Sequence, residues 1–177
     1  MQIQIQHFTL TAFNTQESAA FYGLVDANRS RLEDYFAGTV GFTKTPEAAH
    51  QYCIQMEQRR LEKTYFPFVL KDKTTGNLVA WIDVKNIDWR IPKAEIGYFI
   101  DKEHEGQGLT SQAVSHVVKH IVEEYGFRKL LCRVNDRNTG SIHVALKSGF
   151  ELEGTIRRDY KTTKGEVVDL NYYGRLF

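Results

Sequence analysis

The stretch EHEGQGLTSQAV, Glu103 to Val114, constrains this chain most. It follows the run AEIGYFI, which reads as a strand, and it leads into an apolar stripe of helical period: Leu109, Ala113, Val114, Val117, Val118, Ile121, Val122 and Tyr125. A strand, a tight glycine loop and a helix in that order leave few options. Gly106 and Gly108 let the backbone curl and come close to a ligand. The helix then starts with N–H groups that have no internal partner. Loop and helix end together form a concave set of donors with partial positive charge, suited to a phosphate or pyrophosphate, and Thr110 and Ser111 can add hydroxyl donors. A plain strand-to-helix turn that needs glycine for shape is the other reading. A dinucleotide loop is disfavoured because its third glycine is missing, and no G-K-[ST] follows.

Around this loop the chain alternates elements. IQIQHFTL has period two and reads as one strand. Glu17 to Asp26 and Arg29 to Phe36 read as short helices with Asn28 capping between them. TPEAAHQYCIQMEQRRLEK is a stronger helix, with Thr45 as cap and Pro46 in the first turn. YFPFVLKD and LVAWIDVK are strands joined by TTGN, and Ala94 to Ile100 is a third. KLLCRVN is a strand, Ser141 to Ser148 a short helix stopped by Gly149, and FELEGTIRRDY and VVDLNYYGRLF pair across Lys164 and Gly165. This order predicts an α+β or mixed α/β fold with helices on both faces of one sheet. The 177 residues suit a single domain, 1–177. A formal charge of +1 gives no reason to expect nucleic acid or an anionic membrane as partner, and no apolar run approaches the ~20 residues of a membrane span. The N-terminus has no signal-peptide pattern. Cys53 and Cys132, far apart and without a CxxC, read as buried small hydrophobes in a reducing, cytoplasmic compartment.

AEIGYFI, EGQGLTSQA, the later NDRNTGSI and the closing KSGF together resemble the GNAT acetyltransferase superfamily, and within it the RimJ/RimL type of bacterial ribosomal-protein N-terminal acetyltransferases. The segment NRSRL and the spacing of Gly165, Asp169 and Tyr173 fit as well. The loop departs from the family at Glu103, where Gln or Arg is usual. The resemblance implies a mostly antiparallel sheet splayed open, with acetyl-CoA as co-substrate. Gly106, Gln107, Gly108, Leu109, Thr110 and Ser111 would hold its pyrophosphate. Tyr98, Phe99 and Ile100 would pair with the pantetheine arm as a strand pairs with a peptide, the strand Lys129 to Asn135 would splay away to open the slot, Asn138 would bind the pantetheine, and Ser141 would lie near the sulfur. No HExxH or third ligand accompanies the histidines, so no metal is expected.

Transfer from a thioester to an amine requires a neutral amine, a donor for the oxyanion and a proton for the departing thiolate. Backbone N–H groups of Tyr98 to Ile100 are the expected oxyanion donors. Ser141 is the expected acid, with helix capping as its structural alternative and Tyr160 and Tyr172 as weaker candidates. The resemblance implies Glu95 and Asp159 as the candidate bases, with an ordinary sheet-face carboxylate as the alternative for Glu95 and proton loss through water, without a dedicated base, as the alternative for both. Asn28, Arg29 and Glu33 stand where the superfamily builds its acceptor wall; capping and an Arg29–Glu33 pair are their structural alternative. His116 and His120 lie four apart on a helix, as a metal pair would, but read as a solvated face. The acceptor is expected to be a protein N-terminus, with a small amine such as a polyamine, an aminoglycoside or an amino-acid-like metabolite as the rival. A CoA-binding sensor without turnover is the rival of another class. A homodimer is left open.

Overall fold

The computed structural model describes residues 1–177. Eight strands form one sheet in the order β1-β2-β3-β4-β5-β6-β8-β7. They are β1 Gln2–Ile5, β2 Phe8–Ala12, β3 Phe66–Asp72, β4 Leu78–Asp88, β5 Lys93–Ile100, β6 Lys129–Asn135, β7 Glu151–Lys161 and β8 Val167–Leu176. Every neighbouring pair is antiparallel except β5 and β6, which run parallel. The helices are α1 Ser18–Ala27, α2 Arg29–Leu32, α3 Ala37–Phe42, α4 Pro46–Leu61, α5 Leu109–Tyr125 and α6 Thr139–Lys147. None is long and apolar enough to cross a membrane.

Period-two alternation sorts the strand residues to two cores. Ala80, Ile82 and Val84 of β4 and Ala94, Ile96 and Tyr98 of β5 face α5, whose Leu109, Ala113, Val114, Val117, Val118 and Ile121 are buried against them. Trp81 and Phe99 point the other way, into a smaller core with Phe21 and Val25 of α1 and Cys53 and Met56 of α4. The expected layering, helices on both faces of one sheet, is therefore present. Both cysteines are buried free thiols. Burial pushes the Cys53 thiol up to about 12, and raises Cys132 as well.

Several boundaries differ from expectation, each for a local reason. IQIQHFTL is two strands with a two-residue turn at Gln6 and His7, Ile5 pairing with Phe8 and Gln6 at φ 53°. The apolar parity slips there, from odd positions 3 and 5 to even positions 8 and 10. The second early helix stops at Leu32, and a third, α3, follows in the glycine-containing AGTVGF. Intrinsic propensity does not favour α3; Arg29 secures it by donating to the carbonyls of Val40 and Thr43, at 3.2 and 2.7 Å. Asn28 does not cap α2 with its side chain. The last helix starts at Thr139, two residues early, because Asn138 is its cap and accepts from Ser141 N at 3.0 Å. Thr45 caps α4 as expected, accepting from Ala48 N.

Candidate active site

Six consecutive backbone N–H groups, Gly106 to Ser111, have no acceptor within the protein. Gly106 and Gly108 both lie in the left-handed region, at φ 73° and 72°, and Gly108 is the N-cap of α5. An L side chain rarely adopts that conformation, which explains both glycines. This loop borders a cavity of about 450 Å³ whose far wall is α6, with His104, His143 and Lys147 around it. Thr110 and Ser111 line it but are largely buried. Gln107 instead folds back to donate to the Glu103 carbonyl at 3.3 Å.

A second, narrower cavity of about 90 Å³ opens where β5 and β6 part. Their register covers only Lys93–Glu95 against Lys129–Leu131. From Ile96 onward the β5 edge is free of β6, so the expected splay is present. Asp101 N donates to Val79 O. The antiparallel alternation therefore directs the Phe99 backbone to Trp81 of β4 and turns the N–H and C=O groups of Tyr98 and Ile100 toward the slot. Phe99 faces the slot with neither backbone nor side chain, because its ring packs edge-on against Phe36 in the smaller core. The two cavities meet along the first turn of α6: Asn138 and Ser141 line the slot, Thr139, Gly140 and His143 the loop cavity.

Ser141 is not a helix cap. It sits in the first turn, its N–H satisfied by Asn138, its carbonyl held by Tyr98 Oη at 2.8 Å, and its hydroxyl making no hydrogen bond in the protein. Asn138 uses its oxygen on that cap, which leaves its amide N–H groups for the slot. Glu95 stands at the fork of β5 and β6. Arg133 reaches it at 2.9 and 3.3 Å and Asn86 at 2.9 Å, so both oxygens are engaged. Burial opposes the charge of Arg133, but the Glu95 carboxylate more than offsets it and holds the guanidinium pKa above its usual value. Asp159 is outside the slot and exposed, accepting from Tyr172 Oη at 2.6 Å. Tyr172 is the cross-strand partner of Arg133. The two carboxylates are thus connected through Arg133 and Tyr172.

The early-helix residues correct an expectation. Asn28 is 1% exposed and fully used within the fold: it donates to Leu24 O and Asp101 Oδ1 and accepts from Lys102 N and Arg31. Arg29 pairs with Asp26 at 3.0 Å rather than with Glu33. Asn28 is thus spent within the fold, and Arg29 uses four of its five N–H donors on Asp26 and the carbonyls of Val40 and Thr43. Glu33 pairs with Lys164 at 3.2 Å, at the tip of the β7–β8 hairpin. That tip is fastened to the same segment by Tyr160 Oη to Asp34 O (2.6 Å), Thr163 Oγ1 to Asp34 Oδ1 (2.8 Å) and a stack of Tyr35 on Tyr160. A bridge therefore spans the slot on the side where Tyr35 and Phe36 line it. His120 is half-buried, edge-on to Phe68 and Tyr125, rather than on a solvated face.

Residues 7–151 match the family described as the acetyltransferase (GNAT) domain. The chain belongs to the GNAT acetyltransferases. The ribosomal-protein-serine acetyltransferase of Escherichia coli (strain K12) is 29% identical over 123 residues, covering 70% of this chain and 65% of that protein. The chain therefore spans just under two thirds of that relative's length. Among solved structures, the ribosomal-protein-S5-alanine acetyltransferase from Vibrio fischeri superimposes with a TM-score of 0.91 at 18% identity, over 99% of this chain and 96% of that one. RimL, a ribosomal L7/L12 α-N-protein acetyltransferase in complex with coenzyme A, gives 0.89 at 20% identity, over 100% and 98%. These likenesses establish the GNAT fold. Sequence reasoning passed over Lys85 and Arg133 in this GNAT slot. Asp83 and Lys85, two apart within the apolar LVAWIDVK, were the available signal: a charge pair on one buried strand face.

Proposed function

We propose that the chain is a single-domain, cytoplasmic, acetyl-CoA-dependent N-acetyltransferase acting on the α-amine of a polypeptide N-terminus by direct transfer. The observation that carries this is the start of α6, which has the cavity of the six unpaired N–H groups on one side and, on the other, the splayed strand edge and the slot lined by Ser141 with its free hydroxyl. Acetyl-CoA would supply the activated acyl group as its thioester. The loop donors, with Lys147 and the two imidazoles nearby, suit a pyrophosphate in number and charge. The outward N–H and C=O of Tyr98 and the N–H of Ile100 can pair with an amide-bearing arm, the Ile100 carbonyl being approached by Arg31 at 3.5 Å, and the two N–H groups can stabilise a developing oxyanion. Asn138 offers a further donor. Ser141 donates its proton toward the departing sulfur. Glu95, held by Arg133 and Asn86, fixes the slot wall and can relay the amine's proton through water, with Asp159 a more distant member of the same chain of contacts. Glu33 and the hairpin bridge border the acceptor side.

Proton chemistry and the likeness to ribosomal-protein acetyltransferases support this acceptor class, against a likeness to spermidine N(1)-acetyltransferase of Escherichia coli (strain K12) at 24% identity. An α-amine has a reference pKa of about 8 and a lysine about 10.4, so a site without an unencumbered base favours the α-amine. The slot's one lining carboxylate, Glu95, is already paired, which disfavours a polyamine. The test is an assay with acetyl-CoA and a peptide bearing both a free N-terminus and internal lysines. Mass spectrometry should place the acetyl group on the α-amine, and blocking the N-terminus should abolish the reaction. Acetylation of lysines, or turnover of spermidine with none of the peptide, would overturn this assignment.

A further inference from the structure

Lys85 lies in the slot and serves none of the roles above. Asp83 and Lys85 alternate on β4 and share the face of Trp81, opposite Gly97 and Glu95 of β5. Asp83 is 3% exposed; its Oδ2 accepts from Tyr65 Oη at 2.7 Å, and its Oδ1 lies 3.2 Å from Lys85 Nζ. Gly97 provides the room, because a Cβ there would lie 2.7 Å from Nζ. Phe36 flanks the ammonium, its ring centroid 5.4 Å from Nζ, within cation–π range. An ammonium has three N–H donors; Asp83 faces one, and the others have no acceptor in the protein. Burial opposes this charge, but Asp83, with Glu95 behind it, raises the lysine pKa, so the slot holds a permanent cation.

We propose that Lys85 selects the acceptor: its fixed ammonium admits an amine with a carbonyl or carboxylate oxygen beside it, as in an aminoacyl group, and repels polycations. The inference rests on the acceptor entering the β5–β6 slot. A carbonyl next to the α-amine can take an N–H from Lys85, which holds the acceptor in the slot in ground state and transition state alike. A second ammonium, as in spermidine, would meet Lys85 in a partly desolvated space where like charges repel more strongly than in water.

The test compares KM and kcat for a free-N-terminus peptide, an amino-acid amide and spermidine in wild type, Lys85→Met, Lys85→Arg, Lys85→Glu and the charge-balanced Asp83→Asn/Lys85→Met variant. The last guards against unfolding caused by an unpaired buried carboxylate. Loss of a charged hydrogen bond should raise peptide KM about 10- to 100-fold in both Met variants, leave kcat and acetyl-CoA affinity within about two-fold, and be largely restored by arginine. Lys85→Glu should gain spermidine turnover. Peptide KM within about two-fold of wild type in both folded Met variants overturns the inference alone. If wild type uses the amide but no peptide, with the same Lys85 dependence, the peptide reading falls and Lys85 remains the selector. If wild type uses only spermidine, or none of the three, both fall.

Discussion

Replacing Gly97 by alanine should test the packing beneath the slot. A Cβ at this position would lie 2.5 Å from Asp83 Oδ1 and 2.7 Å from Lys85 Nζ, both shorter than real contacts allow. The lysine tip can swing away. Asp83 cannot follow, since its other oxygen is held by Tyr65 and the residue is 3% exposed. Overpacking of a filled interior costs ~1–3 kcal/mol, and separating the buried ion pair adds to it. A total of about 2–4 kcal/mol would lower Tm by roughly 4–16 °C in a chain of this size. Differential scanning calorimetry of Gly97→Ala beside Gly154→Ala reads this directly, since a Cβ at Gly154 meets nothing within 4 Å. Gly154→Ala should shift stability by no more than ~0.5 kcal/mol. Equal Tm values for the two variants would show that the Asp83–Lys85 pair is not packed as described.

Three further outcomes follow from the site and its surroundings. Gly108→Val, forced to φ 72°, should abolish acetyl-CoA binding measured by calorimetry while the far-UV circular dichroism stays native; unchanged affinity would remove the loop from the binding site. Ser141→Ala should lower kcat about 10- to 1,000-fold and leave acetyl-CoA affinity nearly unchanged, whereas normal turnover with a lower Tm would make Ser141 merely structural. Burial lowers the pKa of His120, so the folded state binds its proton less readily than the unfolded chain. The resulting stability is present above the ordinary histidine value of about 6.5 and is lost as pH falls below it; the Tm drop between pH 7.5 and 5.5 should be smaller in His120→Phe, and an equal drop would exclude His120 as a source.

Much of the architecture was legible because local and long-range signals agreed. The α5 stripe, Leu109 to Tyr125, begins and ends where its periodicity and glycines indicate. Thr45 and Pro46 opened α4 for the same reason. What escaped depends on partners distant in sequence. Nothing within AGTVGF announces α3, whose carbonyl end is held by Arg29. Asn28 and Arg29 carry the residue types of a polar binding wall, and only the fold shows that Asp101, Lys102 and the α3 carbonyls consume them. Phe99 shares its motif with Tyr98, yet strand alternation sends it to the other core. Ser141 was ambiguous because a serine near a helix start can cap it; the cap proved to be Asn138.

The parallel seam between β5 and β6 has a mechanical consequence. Three residues on each side join what are otherwise two plates, β1–β5 and β6–β8, each internally paired over longer registers; β4 with β5 and β6 with β8 both match at seven positions. The plates meet like the arms of tongs, welded at Lys93–Glu95, resting on the shared α5 core and tied across the mouth by the hairpin tip on Asp34. Their angle sets the aperture. In native-state hydrogen exchange, the amides of the weld should be released by a partial opening that leaves the interiors of both plates protected, and weakening the tie by Tyr160→Ala with Thr163→Ala, which removes both hydrogen bonds to Asp34 and the stack on Tyr35, should accelerate exchange at the weld while β3 and β8 keep their rates.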